Sequence, residues 1–284
     1  MSGAMRVARR VARMPAAAAG LAMLALVIAG AILAGVGAPA SHDAIDLDAA
    51  LRAPSAAHPF GTDPFGRDVL ARVLHGARIS LGVGFLARTI SLIIGLFLGA
   101  VAGYFGGRLD SVVMRLADIT FAYPTLLLLI AIIAVVSPGI VSLFVTLGVV
   151  GWASVARLVR AQVLSVKERE FVQAARAAGA GHAALIVRHV LPSCLAPVLV
   201  VYTMGLGTTI MAEASLSFLG LGVQPPHPSW GGMVSSGIAF MRTAPWLTMF
   251  PGLALTLTVC ALNLVGDGLR DALAPRLAAG DRSR

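Results

Sequence analysis

The sequence predicts an all-α membrane protein with six transmembrane helices and both termini on the cytoplasmic side. Three observations carry this. The 284-residue chain is 58% hydrophobic and only 12% charged, where a soluble domain carries roughly 25% charged residues. Six apolar runs, at about 16–38, 80–104, 114–136, 139–157, 195–219 and 245–266, each approach the length of about 20 residues that a helix needs to cross a hydrocarbon core. None alternates with the period of two expected of an outer-membrane barrel strand.

Taken in chain order, residues 1–38 form a cytoplasmic N-terminus and the first span. Arg6, Arg9, Arg10 and Arg13 precede the apolar run and hold that end inside, because Lys and Arg collect on cytoplasmic segments. The run from Ala16 to Ala38 exceeds the 7–15 residues typical of a signal-peptide core, so an uncleaved span is expected. Residues 39–79 form the first outside loop. Its stretch HPFGTDPFGRDVLARVLHGARIS opens in Pro/Gly turns and continues as an amphipathic helix. Val69, Leu70, Val73 and Leu74 lie near one face, with Arg67, Asp68 and Arg72 toward the other. This helix is expected to lie on the outer membrane surface.

Residues 80–267 form a five-helix core. Pro138-Gly139 makes the turn between its second and third helices, SWGGMVSSGIAFM (229–241) reads as a short interfacial helix with Trp230 at headgroup level, and Trp246 reads as an anchor for the last span. The inside loop 158–194 carries Arg160, Lys167, Arg169, Arg176 and Arg188, and the tail 268–284 carries Arg270, Arg276, Arg282 and Arg284. In the first outside loop four arginines stand against five aspartates, so their charges nearly cancel. The net charge of +9 is thereby explained by topology, and no nucleic-acid partner is expected. Cys194 and Cys260 have no metal-ligand spacing, and no metal site is expected.

The longest inside loop holds EFVQAARAAGAGHAALIVRHVLP, residues 170–192. Its first part reads as a helix with Phe171, Val172, Ala175 and Ala178 on or near one face. Gly179 sits where a helix-ending glycine would sit. A second helix is expected from about His182 to Val190, with Leu185, Ile186 and Val190 apolar, Arg188 and His189 exposed, and Leu191-Pro192 as its stop. The apolar face has two destinations open to it: the inner ends of the spans, or a groove on a partner.

Four charged residues fall within or beside the spans. Asp118 is expected to pair with Arg115, and Asp267 with Arg270, as neighbours one helical turn apart. Glu213 has no local partner and is a candidate for lining a pathway. Arg88 is expected to snorkel to the outer surface, with a pathway-lining position as the other reading.

The segments QAARAAG and RHVLP resemble the Glu-Ala-Ala loop of bacterial ABC importer permeases. Ala174, Ala175, Gly179, Leu191 and Pro192 match that pattern, and Gln173 departs from it where the family usually has Glu. HPFGTDPFGRDVLARVLHGARISLGVG, AGYFGG, EASLSFLGLGVQPPHPSWGGM, TAPWLTMFPGLALTLTV and NLVGDGLRDALAPR are similar to segments of the dipeptide/oligopeptide permease family, in particular its second permease subunit, from about residue 58 to 276. The resemblance implies the type I ABC importer fold in a bacterial inner membrane. It implies a heterodimer with a second homologous permease chain, two ATPase subunits that bind ATP and Mg, and an extracytoplasmic substrate-binding protein. It implies that Gln173, Ala174, Ala175, Gly179, Ala180, Gly181, His182, Leu185, Ile186, Arg188, Leu191 and Pro192 form an ATPase-coupling loop. No cofactor in this chain and no enzymatic step are implied, in keeping with the lack of a GxxxxGK[ST] phosphate loop. The cargo implied is a dipeptide or oligopeptide, with glutathione, a nickel chelate or haem as the alternative. An ion-coupled transporter would leave the loop unexplained. An intramembrane protease using Asp118 and Asp267 would place both acids near the surface beside arginines.

Overall fold

The computed structural model describes residues 7, 9–33 and 42–273. Arg6, residues 34–38 of the first apolar run, the start of the following loop, and the tail with Arg276, Arg282 and Arg284 lie outside the described residues. The helices are α1 (Pro15–Leu33), α2 (Val69–Phe105), α3 (Gly107–Ala122), α4 (Thr125–Val136), α5 (Ile140–Lys167), α6 (Glu170–Ala177), α7 (His182–Phe218), α8 (Trp230–Gly237) and α9 (Trp246–Leu273). Among the described residues five are long and apolar enough to cross a bilayer, and α3 with α4 passes the same length and composition test when the bent pair is taken together.

The centre of the bundle is the contact between α2 and α5, which run parallel. Gly95, Gly99 and Gly103 recur every four residues along α2, and a Cβ on each would collide with α5. It would meet Val155 Cβ at 2.5 Å, the Ala156 carbonyl at 2.5 Å and the Arg160 carbonyl at 2.9 Å, respectively. Small residues at this spacing let two backbones approach within membranes, where apolar burial alone supplies little drive between helices. Ser91 adds an interhelical bond, its hydroxyl donating to the Gly148 carbonyl at 2.9 Å. On the far side, α1 packs antiparallel to α9. Ala17 meets Gly268, Gly20 meets Ala261 and Leu264, and Ala31 joins Leu247 in a common cluster.

Three elements depart from the sequence reading. First, the amphipathic segment is not a separate surface helix. Asp68 caps α2, its carboxylate accepting from the Ala71 N–H at 2.8 Å, and the helix then runs unbroken for 37 residues, about 55 Å. Its apolar face, with Val69, Val73 and Ala77, is buried against Trp230, Met233, Ala244 and Leu247. That face is covered by protein, and nothing between Ala77 and Leu81 interrupts the helix.

Second, the run 114–136 is not one straight span. The helix begins at Gly107 and turns through 93° between Ala122 and Thr125. Pro124 causes this. The residue before a proline is pushed out of the helical region, and Tyr123 is extended, at φ −103° and ψ 141°.

Third, Leu191-Pro192 does not stop the helix after the loop. Residues Leu185–Val190 adopt a π turn, with the Leu191 N–H bonding the Ile186 carbonyl, and the helix continues to Phe218. The wider turn shifts the bonding register just before Pro192, where an ordinary helix would lose a bond and clash with the preceding turn.

Both tryptophans assigned to the membrane interface bond to protein instead. Trp230 is 1% exposed, and its indole donates to the Val73 carbonyl at 3.0 Å. The Trp246 indole donates to the Thr62 carbonyl at 3.2 Å. Thr62 belongs to an ordered segment, residues 42–68, that caps the α2/α9 end of the bundle. Asp63 organises it, accepting from the N–H groups of Phe65 and Arg67 and from Arg67 Nε at 2.6 Å. Arg72 Nε lies 3.6 Å from the same Asp63 carboxylate.

Candidate functional site: the 168–192 loop and a polar cavity in the bundle

The loop begins where α5 ends. Lys167 Nζ donates to the Gly103 carbonyl at the end of α2, and after two residues the chain re-enters helix as α6. Two backbone bonds close α6: Gly179 N–H to the Arg176 carbonyl at 3.0 Å, and Ala180 N–H to the Ala175 carbonyl at 3.1 Å. This paired pattern requires a left-handed residue just past the helix, and Gly179 supplies it at φ +86°. Gly181 then leads into α7, and His182 Nδ1 bonds the Tyr104 hydroxyl at 2.9 Å. The loop is thus tied to α2 where it begins, at Lys167, and again at His182.

Its two sides differ. Val172, Leu185, Val190 and Cys194 are fully buried in one cluster with Ala100, Tyr104, Val159 and Val163 of α2 and α5. The apolar side therefore packs on the ends of the spans. The outer side is solvent-exposed and mixes small residues with cations: Ala174, Arg176, Ala177, Ala178, Gly179, Gly181, Ala183, Arg188 and Pro192 are exposed. Phe171 and Val187 stand out from it, 44% and 63% exposed.

The twelve loop residues proposed from sequence therefore separate. Ala174, Gly179, Gly181, His182, Arg188 and Pro192 are exposed. Ala175, Ala180, Ile186 and Leu191 are half-buried against the cluster, and Leu185 belongs to it. Gln173 sits at the edge, its amide donating to the Lys167 carbonyl at 3.1 Å. The loop residues that the motif assigns do not include Phe171 and Val187. The sequence sets Phe171 on one face with Val172, but neighbours in a helix lie about 100° apart, and in the structure Val172 is buried while Phe171 is exposed.

Arg88 does not snorkel. It lies near the midpoint of α2 and is 5% exposed. One amino group donates to the Val201 carbonyl of α7 at 2.7 Å, and Nε has no hydrogen-bond partner among the described residues. The guanidinium occupies space left by Gly205, where a Cβ would lie 2.1 Å from Cζ. Arg88 lines a cavity of about 390 Å³ bounded by α2, the α3/α4 bend, α5 and α7. A charge at such depth costs about 2.5–3.5 kcal/mol on insertion scales and normally faces protein or water.

Glu213 lies elsewhere. It is wholly buried and accepts from the Ser217 hydroxyl at 2.7 Å. That hydroxyl also takes the Val223 N–H. Glu213 does not line the Arg88 cavity. Asp118 pairs with Arg157 across the α3–α5 contact rather than with Arg115, while Asp267 pairs with Arg270 at 3.3 Å.

The described residues thus form an all-helical bundle of five long apolar helices and one bent pair, with the 168–192 loop packed on its parallel central helices, the architecture of an integral-membrane protein. The family model described as "Binding-protein-dependent transport system inner membrane component" matches residues 95–279. The chain belongs to this family, whose members sit in the bacterial inner membrane and work with ATPase and substrate-binding partners. It is 47% identical over 227 residues to the dipeptide transport system permease protein DppC of Alkalihalophilus pseudofirmus, covering 80% of this chain and 75% of that one. It is 40% identical over 258 residues to the oligopeptide transport system permease protein OppC of Bacillus subtilis, covering 91% and 85%. A permease chain of the inward-facing MetNI methionine ABC transporter superposes with a TM-score of 0.59 at 21% identity, covering 72% of this chain and 97% of that one. That likeness shows the ABC importer permease fold.

Proposed function

We propose that the chain is one of two homologous permease subunits of an ATP-driven peptide importer, and that the outer face of the 168–192 loop is its contact with an ATPase subunit. The observation that carries this is the division of the loop. Its apolar side is spent on the bundle, yet Phe171 and Val187 remain exposed on the outer side among small residues, with Arg176 and Arg188 nearby. Such a surface suits a groove on a protein partner. The cationic loops support a cytoplasmic position for this face and for both termini. Relatives named for dipeptide and oligopeptide transport support the cargo class.

In this reading ATP and Mg bind the two ATPase subunits, and this chain hydrolyses nothing. When the ATPases close, they push on α6. Val172 carries that displacement into α5 and α7, and the His182–Tyr104 bond carries it into α2. The extracytoplasmic binding protein delivers cargo at the opposite end, beside residues 42–68.

The test is affinity purification of the tagged chain from native membranes, followed by reconstitution. The expected result is a complex with a second permease and ATPases, whose uptake of trialanine needs both ATP and the binding protein. A chain that purifies alone and transports in ATP-free vesicles overturns the reading.

A further inference from the structure

We propose that the Arg88 cavity is a transient docking site for the C-terminal carboxylate of a peptide in transit. This inference rests on the peptide-importer reading. Arg88 is 5% exposed, its guanidinium is held by one bond to Val201, and its Nε has no partner among the described residues. Among the described residues no carboxylate lies within ion-pair distance of it, and no acidic side chain lines the cavity. A buried fork of donors without a counter-ion is complementary to a carboxylate, which it can bind through charge-assisted bonds.

The rest of the lining suits the remainder of a peptide. Thr120, Ser154, Thr208 and Thr209 all border the cavity. Each of their hydroxyls donates to a carbonyl of its own helix. Their oxygens are thereby left as acceptors, matched to peptide N–H groups, and Arg88 is left as the charged donor. Leu129, Leu147 and Val150 supply apolar wall. The volume of about 390 Å³ falls within the range of about 300–1,000 Å³ usual for small-molecule pockets.

The experiment uses the complete complex in proteoliposomes and two probes, trialanine and its C-terminal amide. Because the binding protein is identical in every sample, a change in the acid-to-amide uptake ratio belongs to the permease. In Arg88→Gln the ratio is expected to fall about tenfold, the loss of one charge-assisted contact, while Arg88→Lys, which keeps the charge but loses the fork, falls less than Arg88→Gln. If Arg88→Gln fails to assemble, Thr209→Asp places a fixed carboxylate in the cavity, and the same fall is expected. An unchanged ratio overturns the proposal, whether both uptakes persist or fall together. The latter is the outcome if Arg88 serves a fixed acid on the adjoining permease. Absence of ATP-driven uptake of both probes by the unmutated complex overturns the peptide reading, and this inference with it.

Discussion

The side-chain amide of Gln173 donates to the main-chain carbonyl of Lys167 at 3.1 Å, tying α6 back to the last turn of α5. The same nitrogen lies 3.4 Å from a carboxylate oxygen of Glu168. Only a donor fits both neighbours. Gln173→Glu would remove the bond and set two carboxylates side by side, at a cost of about 1 kcal/mol. Arg176 beside it would return about 0.5 kcal/mol or less as an exposed pair. The expected result is a lower thermal unfolding midpoint in detergent, and an unchanged or higher midpoint would show that the amide is not what this junction needs.

Gly179 separates local strain from partner contact. Its φ of +86° penalises any side chain, but an added Cβ meets nothing within 4 Å. Gly179→Ala and Gly179→Leu should therefore destabilise the isolated chain equally, by about 1–2 kcal/mol. ATP-driven uptake should fall further for Leu than for Ala, because the larger side chain projects into the space assigned to the ATPase. Equal uptake in the two variants would place the partner elsewhere.

The α2–α5 contact tolerates no side chain at Gly99. A Cβ there would lie 2.5 Å from the Ala156 carbonyl and 2.9 Å from Val159 Cβ, and both helices would have to separate. Gly99→Val should cost about 3 kcal/mol, the upper range for overpacking. The check is the yield of folded protein by fluorescence-detected gel filtration. Gly82→Ala, where nothing lies within 4 Å, is the neutral control, and similar losses in the two would remove the glycine stripe from the account.

Trp230 is a packing and hydrogen-bonding residue of the bundle. Trp230→Phe keeps an aromatic ring but removes the bond to Val73, so it should cost about 1–2 kcal/mol in thermal stability. Trp246→Phe, at a half-buried site with the longer bond to Thr62, should cost less. Brominated lipids should quench Trp230 fluorescence no more than a buried indole allows, and strong quenching would return it to the membrane interface.

The sequence made the apolar crossings, their approximate order and the glycine-hinged loop readable, because these depend on run length and on local backbone chemistry. Other features depend on residues far apart in the chain. Arg88 reads as a snorkelling side chain until Gly205, more than a hundred positions later, is seen to leave room for it. Asp118 reads as a partner for Arg115 until α5 brings up Arg157. The bend at Pro124 was locally encoded, since a proline sits in the middle of the apolar run, yet hydropathy alone smooths over it. Pro192 misled in the opposite direction, because a π turn just upstream lets the helix pass a residue that usually ends one. Trp230 reads as interfacial by residue type, but only the fold supplies the Val73 carbonyl that satisfies its indole in the interior.

The unbroken length of α2 carries a mechanical consequence. Asp68, at the margin of the 42–68 cap, and Phe105, packed near His182 of the loop, are the two ends of a single rod. A tilt of about 5° at one end moves the other by about 5 Å over a helix of about 55 Å. A lever of that span needs no chain of intermediate switches to link its ends. Were the rod to tilt as a rigid body, a small rotation at the loop would become a shift of several ångströms at the cap.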